Sequence, residues 1–158
     1  MRRLLQAPPD TLSGQRDRMA LAFLYGTGLL PDQAAPVDVG DVSTRRVFVF
    51  GRLQPLGPRL AEQLQGYLRD VRPRLKGAEG SPALFLNAAG GRMKAEELST
   101  RVRKYSRQIG AKIFGYSIRR AFAVHLLQNG APLEAVQKLL NHKHIRHTAH
   151  YATVPEGQ

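Results

Sequence analysis

The chain contains no cysteine. That excludes a disulfide, a thiol nucleophile and any cysteine-ligated zinc or iron–sulfur centre, and it is compatible with a reducing compartment. No apolar run approaches the roughly 18 residues a membrane helix needs. The opening Met1-Arg2-Arg3-Leu4-Leu5-Gln6 has two basic residues but no apolar stretch behind them, so no signal peptide is expected and the expected location is the cytoplasm. Acidic residues are scarce: 12 Asp plus Glu face 24 Lys plus Arg, a net charge of +12. What is present is an ordinary globular composition. An apolar fraction of 42% and a charged fraction of 23% rule out wholesale disorder, and 158 residues suit one domain.

So large a positive excess repels itself and calls for a polyanionic partner. Nucleic acid is the favoured partner and an anionic membrane surface the alternative. The cations are mostly arginine, whose planar fork suits bidentate phosphate contact better than a lysine point charge. A GC-rich genome accounts for the arginine bias but not for the net charge. The charge is uneven. Between Arg92 and Arg120 stand Arg92, Lys94, Arg101, Arg103, Lys104, Arg107, Lys112, Arg119 and Arg120 against only Glu96 and Glu97. The C-terminal half is therefore the expected polyanion face.

Hydropathy patterning outlines one mainly helical domain. Residues 1–13 hold two prolines and read as a loose lead-in; residues 14–154 form the domain and 155–158 a short tail. Met19 to Tyr25 is apolar nearly all round and predicts a buried helix stopped at Gly26-Thr27-Gly28. Pro31 to Pro36 predicts a turn or broken helix. Val47 to Phe50 predicts a short strand ending at Gly51. Pro58 to Val71 is a helix with Leu60, Leu64, Tyr67, Leu68 and Val71 on one face. Leu98, Val102, Tyr105 and Ile109 make a second stripe, with Arg103, Lys104 and Arg107 opposite and Arg101 at the flank. A helix over 117–128 points Ile118, Ala121, Phe122, His125 and Leu126 inward. Pro132 opens another with Leu133, Val136, Leu139 and Leu140 inward, and Ile145 to Tyr151 forms a last short helix or turn. The fold class is α+β, mainly helical, with a small β-sheet.

Three residues of the last third suit phosphoryl chemistry: Arg119, His142 and Tyr151. Transferring a phosphodiester needs an in-line nucleophile and cations or donors on the equatorial oxygens. A tyrosine phenolate supplies the first, as a covalent phosphotyrosine; an arginine fork and an imidazole supply the second. On residue type alone, the same three are equally a solvated charge, a helix cap and a surface ring.

The surrounding string decides between these. Tyr116-Ser117-Ile118-Arg119-Arg120-Ala121-Phe122-Ala123-Val124-His125-Leu126-Leu127-Gln128-Asn129-Gly130 resembles the box of the tyrosine recombinases (phage integrases), His-x-Leu-Arg-His-x-Phe-Ala-x-His-Leu-Leu-x-x-Gly. Val136-Gln137-Lys138-Leu139-Leu140-Asn141-His142 is similar to that family's Val-Gln-x-Leu-Leu-Gly-His, and His147-Thr148-Ala149-His150-Tyr151 stands where its members carry Thr-x-x-x-Tyr. Upstream, Arg16-Asp17 and Tyr25-Gly26-Thr27-Gly28-Leu29 match the family's entry motif. The resemblance runs from about Gly14 to Val154. It implies a tyrosine recombinase catalytic-domain fold, double-stranded DNA as partner, a recombinase or a second copy as a further one, and no cofactor, metal, membrane or small-molecule substrate.

The resemblance also implies six catalytic positions, of which Arg119, His142 and Tyr151 are kept. The first arginine position holds Leu30, which cannot bind a phosphate oxygen. The first histidine position holds Tyr116. The lysine belongs on a β-hairpin, and Val47 to Leu56 is too short for the usual one and has no lysine; Arg52 is its nearest cation and a poor proton donor. No DNA-clamping domain is expected ahead of residue 14, and no long exchange segment after Tyr151. The histidines His142, His144, His147 and His150 are expected to charge as pH falls rather than to bind metal.

The reading that follows is a DNA-binding protein with a recombinase catalytic-domain fold and impaired or absent strand cleavage. Its DNA contacts are expected from Arg101, Arg103, Lys104, Arg107, Lys112, Arg120, Lys143 and Arg146. The alternatives are an active minimal recombinase using Arg45, Arg46 or Arg52 as replacement, joining DNA through Tyr151, and a regulatory adaptor that binds a recombinase partner.

Overall fold

The computed structural model describes residues 1–152. Its centre is α2 (Leu12–Thr27), in which Met19, Ala20, Leu21, Phe23 and Leu24 are all buried. A helix apolar on every side must be enclosed, and α1 (Arg2–Gln6), α4 (Pro58–Asp70), α5 (Ala95–Gln108) and α6 (Gly115–Gln128) enclose it. The Thr11 hydroxyl caps its start, accepting from the Gly14 N–H at 3.0 Å. Gly28 ends it at φ 73°, a left-handed conformation that glycine adopts without steric cost. A Cβ there would lie 2.3 Å from the Phe122 ring, so the same glycine lets α6 pass close to the end of α2.

The N-terminal residues differ from the loose lead-in that composition predicts. Arg2–Gln6 form α1, Leu4 is wholly buried in the main core, and Arg3 Nη2 donates to the Ile109 carbonyl at 3.1 Å. The two prolines mark the break after a helix, not an absence of structure. The tail at 155–158 lies outside the described residues.

A second difference lies in the sheet. The expected strand, β1 (Arg46–Val49), is joined by β2 (Arg52–Pro55) in an antiparallel hairpin, with Val47 opposite Gln54 and Phe48 opposite Leu53. The segment is long enough because the turn is only Phe50-Gly51, at φ 56° and 72°. Two consecutive positive φ values give a turn whose twist matches that of the paired strands. Val47, Val49 and Gln54 face inward while Phe48 and Leu53 face solvent. The mainly helical α+β architecture with a small sheet is as expected.

The irregular stretch 83–86 is core rather than strand. Tyr67 Oη donates to the Leu84 carbonyl at 2.8 Å, and Arg72 donates to the carbonyls of Ala83 and Ser81. Beyond α6, α7 (Leu133–Leu140) and α8 (Ile145–Ala152) close a smaller apolar cluster of Phe122, Ala123, Val136 and Leu140, against which Tyr151 is packed half-buried.

The buried face of α6 keeps Ile118 and Phe122 of the expected set, with Leu126 half-buried, but departs from it at Arg119 and His125. Ile118, Arg119, Phe122, Ala123 and Val124 are buried, whereas His125 is exposed, its ring 3.3 Å from the Asn129 amide. An arginine occupies an inward position, which rotates the inward face relative to an assignment that keeps charges outside.

Candidate active site and nucleic-acid face

Arg119 sits at the seam between the two apolar clusters, one residue after Ile118 of the larger and three before Phe122 of the smaller. It is 5% exposed. Its Nη1 donates to the Gly28 carbonyl at 2.9 Å and to Gln33 Oε1 at 3.2 Å, and its Nη2 donates to the Leu140 carbonyl at 2.5 Å. Gly28 ends α2, Gln33 lies in α3 (Pro31–Ala34), and Leu140 ends α7. The C-terminal ends of two helices, with their unpaired carbonyls, thus converge on one guanidinium. Burial lowers the pKa of Arg119, while Tyr151, Tyr116 and Asp32 act in the opposite sense.

Leu30 stands beside it, half-buried. Its N–H donates at 3.0 Å to Gln33 Oε1, the same oxygen that accepts from Arg119.

Asn141 follows α7 at φ 58°, a left-handed position asparagine tolerates better than most residues. This turn delivers His142. Its Nδ1 lies 2.7 Å from the hydroxyl oxygen of the buried Thr148. The His142 ring stacks on Tyr151 with centroids 6.4 Å apart and an interplanar angle of 20°. Burial first, then the charges of Arg119 and His147, hold the His142 pKa below its ordinary value. The fold therefore brings Arg119, His142 and Tyr151 to one place, with Tyr116 near enough to act electrostatically on Arg119.

Of the replacement candidates, Arg52 alone reaches this region among those named. It is half-buried, and its Nη2 donates to the Lys138 carbonyl in the last turn of α7 at 2.5 Å, while its Nε is buried without an acceptor. Arg45 and Arg46 are exposed at the far end of the hairpin.

The basic stretch is less basic outside than its composition. Arg119 is buried, and Arg92 donates to the carbonyls of Ala35 and Val37 and pairs with Asp38. Arg101 is half-buried with its Nε 4.0 Å from Asp17, so this candidate DNA contact faces an internal carboxylate. Arg103, Lys104, Arg107, Lys112, Arg120, Lys143 and Arg146 are exposed. Residue type alone did not reveal that Arg16 and Asp17 form a buried ion pair at 2.9 Å, with Tyr105 Oη donating to Asp17 at 2.5 Å. Among the described residues, no three His, Cys, Asp or Glu side chains are placed to hold a metal ion, and no helix is long and apolar enough to cross a membrane.

The profile of the phage integrase family matches residues 1–157. Tyrosine recombinase XerD of Staphylococcus epidermidis is 36% identical over 165 residues, covering 98% of this chain and 56% of that protein. The chain belongs to the phage integrase family of tyrosine recombinases. Tyrosine recombinase XerC of Natranaerobius thermophilus is 35% identical over 168 residues, with the same two coverages. The chain thus spans about half the length of these relatives. In fold it is similar to XerA recombinase, with a TM-score of 0.83 at 21% identity over 98% of this chain and 58% of that one. It is also similar to the Tn1549 transposon integrase in complex with transposon right end DNA, with a TM-score of 0.79 at 18% identity over 98% and 59%. The architecture built above from α2, the hairpin and α5–α8 is thus that of integrase-family recombinases.

Proposed function

We propose that this integrase-family chain is a DNA-binding domain of a recombination or integration system, with strand cleavage impaired or absent. One observation carries the reading on cleavage. The Arg119 guanidinium is engaged by Gly28, Gln33 and Leu140, and its neighbour Leu30 offers no donor to a phosphate. Loss of one donor to a developing oxyanion costs roughly 10²–10³ in rate, and loss of the general acid adds to that without simple additivity. The DNA partner is supported by the exposed cations Arg103, Lys104, Arg107, Lys112, Arg120, Lys143 and Arg146 and by the DNA complexes of fold relatives. Such work belongs in the cytoplasm, at the nucleoid of a bacterial host.

The test is a nicked suicide duplex, run on a denaturing gel beside a salt titration of affinity. Salt-sensitive binding is expected, falling by about 0.9 log unit per log unit of salt for each neutralised phosphate. Little or no covalent adduct is expected, and Tyr151→Phe should leave affinity nearly unchanged. A strong adduct that vanishes in Tyr151→Phe overturns the reading in favour of an active minimal recombinase. Arg52 is what favours that second reading, since it reaches the last turn of α7 just ahead of His142. Absence of DNA binding at low salt favours an adaptor that binds a recombinase partner.

A further inference from the structure

We propose that the cleft between α3, α5 and the first turn of α6 receives a single unstacked DNA base. The inference rests on the DNA-binding reading above and adds a ligand part and a place for it.

The cleft has a volume of about 410 Å³, within the range of small-ligand sites, about 300–1,000 Å³. Phe114 and Tyr116 line it, at 55% and 72% exposure the two most exposed Phe or Tyr rings among the described residues. Exposed rings of this kind offer faces that a partner can cover. The rest of the lining is mainly apolar, with Asp32, Glu96 and Arg103 as its charged groups. These groups match the parts of one nucleotide. The rings offer stacking faces, the carboxylates accept from base N–H groups, and the guanidinium suits a phosphate. Guanine presents two adjacent N–H donors on one edge and fits a carboxylate acceptor best.

The cleft is held in shape. Gly115, between the two rings, lies so close to Pro31 that a Cβ would sit 2.8 Å from its Cδ. The Phe114 N–H donates to Ser117 Oγ at 3.2 Å, fixing the helix start. Lys112 and Arg120, both exposed, flank the ring pair in sequence and suit a continuing nucleic-acid strand better than a lone nucleotide.

The experiment compares three duplexes of one sequence by fluorescence anisotropy: fully paired, with a single bulged guanine, and with an abasic residue in the bulge. The abasic bulge separates recognition of the base from recognition of a flexible backbone. The bulged guanine should bind about tenfold tighter than the abasic bulge. Phe114→Ala should remove that advantage, and Asp32→Ala with Glu96→Ala should diminish it. Phe114 is exposed, so its substitution leaves the fold intact, which circular dichroism verifies. Equal affinity for the guanine and abasic bulges, or a guanine advantage that survives Phe114→Ala, overturns the proposal while salt-sensitive duplex binding leaves the DNA reading standing. Failure to bind any of the three overturns both.

Discussion

Arg119 donates a hydrogen bond to the carbonyl of Leu140 at 2.5 Å, joining α6 to the end of α7 one residue before the turn that delivers His142. With the bonds to Gly28 and Gln33, this arginine is a structural joint as well as a member of the candidate site. The position of His142 rests on this bond together with its Nδ1 contact to Thr148 and the packing of α7 against α6 and α8.

Removing that joint should cost stability as well as chemistry. Arg119→Ala leaves buried acceptors at Gly28 and Leu140 unpaired and should lower unfolding free energy by roughly 2–3 kcal/mol. Arg119→Lys keeps the charge but cannot span the three acceptors, so it should recover only part of the loss. Urea denaturation measures both. Parent-like stability in both variants would refute the structural role.

A larger loss is expected at the buried pair of α2. Asp17→Asn leaves Arg16 charged and unpaired inside the core and weakens the acceptor for Tyr105 Oη. Breaking a buried pair in this way costs about 3–5 kcal/mol. Thermal melting should show a drop well beyond that of an exposed control such as Asp70→Asn, whose partner Arg69 is on the surface.

The pH dependence follows from His142. Burial, Arg119 and His147 hold its folded pKa below the unfolded value of about 6.5. Between those two values the unfolded chain binds more protons than the folded one, so stability rises with pH there. The contribution is fully present above about pH 6.5 and is lost as pH falls towards the folded pKa. The melting temperature should therefore fall from pH 7 to pH 5, and less steeply in His142→Gln. Parallel profiles for the two proteins would dismiss His142 as the cause.

Leu30 offers a gain-of-function test. It is half-buried, shares Gln33 Oε1 with Arg119 and lines the cleft beside Tyr116. Leu30→Arg adds a donor next to Arg119 and should raise adduct formation on the suicide duplex. An intact fold with no gain would mean that the lack of a lysine on the hairpin, or the engagement of Arg119 by carbonyls, limits cleavage.

Much of the fold was legible because apolar spacing and stop residues are local signals. The α4 and α5 stripes and the end of α2 at Gly28 follow from sequence periodicity and from a residue that tolerates positive φ. The hairpin was missed because a turn of Phe50 and Gly51 carries a positive φ on a phenylalanine, which no composition rule predicts. The N-terminal helix was missed because a five-residue segment has little periodicity of its own and is held by the burial of Leu4.

The sequence by itself determined the family, because the family's motifs are residue types at fixed spacings, and on those spacings rests the proposal that Arg119, His142 and Tyr151 are retained positions with Leu30 at the first arginine position. It also determined the net charge. Only the tertiary structure decided which charges face water. Arg16, Arg92 and Arg119 look like any other arginine in the string, yet each answers carboxylates or carbonyls from segments far away in the chain. A cation's role depends on the acceptors that folding brings within about 3 Å of it, and these are supplied by chain crossings that local spacing does not encode.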